Sequence, residues 1–252
     1  MTERRNELGQ QIGPSLTGWT PPPMPAAELM EGRFCRLEPL DEDRHTADLY
    51  VANQLDAENR NWTYLPYGPF KSIKAYRDWL RSVQDGPDPR FFAIVTKPEG
   101  KALGVASYLR ITPASGSIEV GHLHYSETLK CSSVATEAMV MMMAHAFALG
   151  YRRYEWKCDA LNAPSRAAAE RLGFQFEGVF RQATVYKDRS RDTAWYAVID
   201  KDWPQLRQAF ETWLAPDNFD GQGRQRMRLS DLTSNDRGVL RTQPPKKKSN
   251  IS

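Results

Sequence analysis

No stretch of this chain stays apolar for the roughly 20 residues that a membrane-spanning helix needs, and mean hydropathy is −0.62, so an integral membrane protein is not expected. The N-terminus, MTERRNELGQQ, is charged and polar with no apolar segment behind it, so no secretory leader is expected either. Cysteine is scarce. Cys35, Cys131 and Cys158 lie far apart and form no CxxC pair, which argues against a zinc ribbon or a disulfide framework and fits a reducing, cytoplasmic compartment. The chain also lacks GxxxxGK[ST], GxSxG, HExxH and GxGxxG, so phosphate-loop hydrolysis, serine hydrolysis and zincin chemistry lose their usual signatures.

Excess charge is nearly absent from the body of the chain. The net charge is +3 over 252 residues, but positions 215–252 hold eight Lys/Arg against four Asp/Glu. The remainder is balanced, at 26 basic and 27 acidic residues. A nucleic-acid binder wants a basic face on its folded part, so no nucleic-acid partner is expected.

Three regions follow. Residues 1–32 are polar and then proline-rich (Pro21, Pro22, Pro23, Pro25) and read as an extended arm that wraps the surface or stays partly disordered. Residues 33–214 alternate strand and helix patterns. Residues 215–252 read as a flexible basic tail ending in Pro244-Pro245-Lys246-Lys247-Lys248. In the middle region, strands are expected at 33–40, 91–96, 103–110, 117–125, 154–158, 174–180, 182–185 and 194–200. Helices are expected at 41–54 capped by Asp41, 72–84 capped by Ser72, 134–149, 162–172 and 203–214. The 134–149 helix is apolar nearly all round and should be buried on more than one side. This mixture implies an α/β sheet with helices on both faces.

One turn has chemical character: Lys130-Cys131-Ser132-Ser133-Val134-Ala135-Thr136, between a strand and the long helix. Its small residues let backbone N–H groups converge at a helix start, which suits phosphate, and Lys130 adds a cation. The plainer reading is an ordinary turn capped by Ser132 or Ser133. After the next strand comes Asn162-Ala163-Pro164-Ser165, then a helix, then Leu172-Gly173-Phe174.

This order of strand, phosphate-type loop, long helix, strand, Asn-x-x-Ser, helix and Leu-Gly-Phe resembles the GNAT superfamily of acetyl-CoA-dependent N-acetyltransferases, and more closely the branch of the ribosomal-protein-alanine and -serine N-acetyltransferases. The resemblance covers residues 33–214. It implies a mixed, mostly antiparallel sheet of about seven strands, splayed between the fourth and fifth. It also implies a transferase (acyltransferase) activity with acetyl-CoA as cosubstrate and an amine acceptor (protein N-terminus or small molecule); a homodimer stays open, and from ligand count and hydropathy neither a metal nor a membrane partner is expected. The family loop reads Q/R-x-x-G-x-G/A. Here Lys130 stands for Gln or Arg and Ser133 for Gly, and the loop is expected to stay in ordinary φ space.

By resemblance, the amides of Ser132, Ser133, Val134, Ala135 and Thr136 hold the diphosphate beside Lys130 and Cys131, and Asn162 and Ser165 face the pantetheine and thiol. Strands 121–125 and 156–158 splay, and an N–H near Leu123 steadies the oxyanion. Acetyl transfer needs a neutral amine, so a base is useful. Glu119, with Gly121 and Leu123 on one face by alternation, is the candidate; its plain reading is an exposed or salt-bridged strand glutamate. Many relatives place a proton-donating Tyr where this chain has Ala169, so Ser165 is the candidate acid, with a role at the helix N-terminus as its alternative. Tyr186 and Tyr196 are donors without a place. His122 and His124 share a face and could line the cleft, but no third ligand completes a metal site. His45 and His145 read as structural.

The connector at 59–70 carries Trp62, Tyr64, Tyr67 and Phe70. In this fold it roofs the acceptor site, so these rings form either an apolar wall or a loop folded back onto its own core. The turn at 181–192 forms the opposite rim, and its mixed charges read mostly as a solvated hairpin. A non-catalytic CoA-binding regulator of the same fold is the alternative function.

Overall fold

The structure, a computed structural model, describes residues 4–233. After a small exposed hairpin, β1 (Arg4–Arg5) and β2 (Gln11–Ile12), the chain builds one eight-stranded sheet. Its strands are β3 (Met30–Glu31), β4 (Cys35–Pro39), β5 (Arg90–Thr96), β6 (Ala102–Thr112), β7 (Ser117–Tyr125), β8 (Arg153–Asp159), β9 (Gln175–Tyr186) and β10 (Arg189–Ile199), in the spatial order 3-4-5-6-7-8-10-9. Every pairing is antiparallel except β7 with β8.

The sheet separates two apolar cores, and β5 shows how. Phe91, Ala93 and Val95 enter the core under α1 (Glu42–Asn53) and α2 (Ile73–Val83), with Leu49, Tyr76 and Leu80. Phe92 and Ile94 enter the larger core on the other face, with α3 (Ser133–Ala148), α4 (Ala163–Arg171) and α5 (Trp203–Leu214). Successive strand residues point to opposite faces, so a strand covered on both sides reads as a continuous apolar run.

Helix starts follow the side chains that satisfy their free amides. Asp41, Ser72, Ser132 and Asn162 each accept the N–H three residues on, at 2.9, 3.1, 3.1 and 3.2 Å. α4 ends at Gly173, whose φ is +81° and where a Cβ would come within 2.4 Å of Leu206; only glycine meets both conditions.

α3 is buried widely, as its composition predicts, and it carries an acid the composition does not explain. The Glu137 carboxylate accepts the N–H groups of Arg33, Phe34 and Cys35 at 2.6, 2.7 and 3.0 Å. It rivets α3 to the entry of β4 and satisfies amides that would otherwise be buried without partners. His45 and His145 are structural: the Asp41 N–H reaches His45 Nδ1 at 3.0 Å, and the His145 ring stacks on Tyr108.

Three expectations change. The sheet has eight strands rather than about seven, because Met30 and Glu31 of the arm pair with Leu37 and Arg36. The rest of the arm lies on the surface, with the Tyr151 hydroxyl bonded to the Pro23 carbonyl (3.0 Å) and Trp19 against Arg152. The two strands expected at 174–180 and 182–185 are one, β9, whose pairing shifts near Gln182 (φ +49°).

The expected tail is in part folded. Residues 216–218 form a 3-10 turn, Phe219 bridges Gln225, and α6 (Leu229–Thr233) buries Leu229. Arg33 lies against the rings of Phe34 and Phe219, and the Thr233 hydroxyl bonds the Arg171 carbonyl at 2.9 Å. Scattered anchors such as Phe219 and Leu229 are hard to see in a Gly/Gln/Arg-rich context. Positions 234–252 lie outside the described residues, as does most of the expected tail's basic charge.

Candidate active site

β7 and β8 pair in parallel from Ser117 with Arg153 to Val120 with Trp156, and there the ladder ends. Beyond it, residues 121–125 stay with β6 and residues 157–159 go with β10, so the two strands part as the resemblance implied, except that Trp156 is still paired. Parted strands offer unpaired backbone edges.

β7 carries a bulge at this point. Gly121 faces Ser107 and His124 faces Val105, so three steps on β7 match two on β6, and His122 takes φ +52°. One extra residue inverts the alternation. Glu119 therefore does not share its face with Leu123, which packs toward the α3 core. It shares it with Gly121, and the bulge returns His122 and His124 to the same side. His122 stacks on Tyr67, whose hydroxyl reaches Nδ1 at 3.2 Å, and His124 stacks on Trp62 at 3.8 Å. Burial lowers both histidines to about 4, so both are neutral at neutral pH.

Glu119 is buried and ion-paired. Arg110 Nη1 lies 2.7 Å from Oε1, and Lys157 Nζ lies 3.0 Å from Oε2. Lys157 also holds Glu155, at 2.7 Å. Burial raises the Glu119 pKa against the opposing pull of Arg110 and Lys157.

Glu119 looks into a cleft of about 170 Å³ between the parted strands. Asn162 and Ser165 line it from the start of α4. The Asn162 side chain caps α4 by accepting the Ser165 N–H, and Ser165 Oγ accepts the indole N–H of Trp156 at 3.0 Å. The plain structural roles are thus real. Accepting the indole N–H leaves Ser165 its O–H as a donor, and the Cys158 thiol lies within hydrogen-bond reach of it. Tyr186, unplaced by sequence, donates its hydroxyl to Asp159 at the cleft wall (2.8 Å), and burial raises its pKa to about 12. Tyr196 bonds Arg166 and Glu170 instead.

The roof is divided. Trp62 and Phe70 fold back onto the core under α2, and Gly68 (φ +66°) lies so close to Trp62 that a Cβ would meet its ring at 2.3 Å. Tyr64 lines the cleft and donates to the Leu161 carbonyl at 3.2 Å. The β9–β10 hairpin is largely exposed, as expected, but three of its cations are engaged with the connector and the cleft. Lys187 Nζ donates to the Trp62 carbonyl (2.7 Å) and Arg189 Nη2 to the Thr63 carbonyl (2.6 Å), clasping the connector, while Arg191 enters the cleft.

At the start of α3, the capping reading holds for Ser132, which accepts the Ala135 N–H and donates its hydroxyl to the Leu129 carbonyl at 2.6 Å. Ser133 is the first helical residue, so its Cβ needs no unusual φ, and the amides of Ser133 and Val134 have no intrahelical acceptor. The loop does leave ordinary φ space, but at Cys131 (φ +55°). Lys130 is engaged by Glu127 at 2.6 Å. A cation that sequence reasoning missed comes from the end of α4: Arg171 Nη1 donates to Thr136 Oγ1 at 3.1 Å and its guanidinium lies over Trp213. A larger cavity of about 710 Å³ lies between α1 and the β5–β6 turn and reaches Val134, but it shares no lining residue with the cleft. Among the described residues no cluster of His, Cys, Asp and Glu could hold a metal, and no helix is long and apolar enough to cross a membrane.

Residues 35–175 match the family described as Acetyltransferase (GNAT) domain. The chain belongs to the GNAT acetyltransferase family. A GCN5-related N-acetyltransferase from Brucella melitensis is 43% identical and superposes with a TM-score of 0.84 over 86% of this chain and 99% of that one. The ribosomal-protein-serine acetyltransferase of Escherichia coli (strain K12) is 27% identical over 62% of this chain and 88% of its own length. The microcin C7 self-immunity acetyltransferase MccE, solved with acetyl-CoA and AMP, shares the fold at a TM-score of 0.59 and 20% identity, over 67% of this chain and 93% of that one. Acetyl transfer from acetyl-CoA is general for GNAT proteins. The coenzyme suits the groups present here: its amide-rich arm matches the free strand edges and its diphosphate matches the amides of Ser133 and Val134.

Proposed function

We propose that this chain moves an acetyl group from acetyl-CoA to a primary amine by direct attack in a ternary complex, in the cytoplasm. Acetyl-CoA supplies the activated thioester, and the residues do the rest. Ser133 and Val134 amides, with the surrounding Lys130–Thr136 turn and Arg171, hold the phosphates. Glu119 takes a proton from the acceptor amine, directly or through water. Leu123, in the bulge, steadies the carbonyl oxygen, and the Ser165 O–H gives a proton to the departing sulfur. His122 and Tyr64 line the acceptor side, with Tyr67 stacked behind His122 and Trp62 behind His124.

The carrying observation is the end of the β7–β8 ladder at Val120 and Trp156, with Glu119 one residue before it and Ser165 bonded to Trp156. The acceptor is a protein N-terminus, as the name of the Escherichia coli relative suggests, or a small amine. The clamp on Glu119 and the absence of a tyrosine at Ala169 favour a second reading, a CoA-binding regulator without turnover. Thiol release from acetyl-CoA over an amine panel separates the two: release with at least one amine is expected, and saturable CoA binding with none would leave the regulator. Whether the chain forms a homodimer is tested by its sedimentation at working concentration.

A further inference from the structure

We propose that Arg191 selects the acceptor by holding a carboxylate on a small amine. This rests on the cleft being the acetyl-transfer site. The other charges there are spoken for. Arg110 and Lys157 share Glu119, and Asp159 accepts the Tyr186 hydroxyl and the Leu161 N–H. Arg191 lines the same cleft from β10 and is half-buried. Among the described residues no carboxylate lies within ion-pairing distance of it, and its Nε is enclosed with no acceptor. Its sequence neighbour Asp192 accepts the Gln182 N–H at 2.7 Å. The guanidinium rests beside the Tyr186 ring, 5.8 Å from its centroid.

A partly dehydrated guanidinium without an acceptor is costly, and a carboxylate is the group its planar fork pairs with best. The size of the acceptor follows from the roof. Lys187 and Arg189 tie the hairpin to the connector above a cleft of about 170 Å³, which suits a small molecule better than a polypeptide laid across it.

The experiment uses acceptor pairs that differ only in acid against amide: α-amino acids, longer ω-amino acids and dipeptides, each with its carboxamide. Thiol release is followed with acetyl-CoA, and the same pairs are titrated calorimetrically onto the CoA-saturated protein. The acid member should be preferred by about tenfold to a hundredfold in kcat/KM and in Kd. Arg191→Gln should abolish the preference, Arg191→Lys should keep part of it, and CoA affinity should not change in either. Equal use of acid and amide, or a preference that survives Arg191→Gln, would overturn the proposal. So would a loss of CoA affinity in Arg191→Gln, which would assign the residue to the coenzyme's phosphates, or better turnover of long peptide N-termini than of any small acid. If no amine releases thiol, the acetyltransferase reading fails on its own, while the titration still decides what Arg191 binds.

Discussion

The start of α3 and the cleft are made in opposite ways. At α3 the chemistry belongs to the backbone. Ser132 caps, the amides of Ser133 and Val134 stay open, and the geometry closes within seven residues of sequence. In the cleft the chemistry belongs to side chains from separate strands: Arg110 on β6, Glu119 on β7, Lys157 and Asp159 on β8, Arg191 on β10. A site made of main-chain donors tolerates changes of side chain. A site made of charges balanced across strands does not, because each ion loses its partner when another is removed.

The largest effect that tests this contrast is on the cleft. Glu119→Gln should lower kcat by 10² to 10⁴, in the range for losing a general base, while CoA affinity stays within about twofold. The wild-type rate should rise with pH through a pKa above that of an ordinary carboxylate, since burial raises Glu119 and only its ionised form takes a proton. Equal losses of rate and CoA affinity would make Glu119 a structural ion and erase the distinction between the two regions.

Glu137→Gln comes next and acts on the α3 side. A carboxamide oxygen cannot accept three amides as a carboxylate does, so unfolding stability should fall by about 1 to 3 kcal/mol in denaturant melts. Per-site kinetics of the remaining folded protein should be little changed.

Ser133→Asp sharpens the comparison most directly. A carboxylate at the first helical residue favours the helix dipole, so stability should hold or rise by about 0.5 kcal/mol. CoA should bind about tenfold more weakly, because the new charge faces the diphosphate. Unchanged CoA affinity in a calorimetric titration would move the phosphate site away from α3.

The smallest effect is on pH-dependent stability. His124 titrates near 4 when folded and near 6.5 when unfolded. The unfolded chain therefore takes up the proton first, and stability falls as pH drops from about 6.5 toward 4. His124→Phe should flatten that loss by on the order of 1 kcal/mol between pH 7 and 5. An unchanged slope would mean that His124 is not held neutral beneath Trp62.

Local patterns carried much of the fold. Asp41, Ser72, Ser132 and Asn162 are caps because a short polar side chain before an apolar-periodic run has one good use. The parting of β7 and β8 and the helix that begins at Ser133 were legible as one ordered set of motifs. The faces of β7 were not, because period-two alternation holds only until an extra residue is inserted, and nothing in Gly121-His122-Leu123 marks a bulge. The connector was ambiguous for a related reason. Aromatic residues suit a wall and a core equally, and only the second core beneath α2 decided that Trp62 and Phe70 belong inside while Tyr64 stays at the cleft.

The order of residues by itself determined the elements, their caps and the helix start that can bind phosphate, because those depend on contacts within a few positions. Which charges meet, Arg110 and Lys157 on Glu119, Lys187 and Arg189 on the connector's carbonyls, Arg191 left without an acid among the described residues, was decided only when distant strands were brought side by side. Coulombic and hydrogen-bond partners act over a few ångströms of space, and sequence distance carries no record of that.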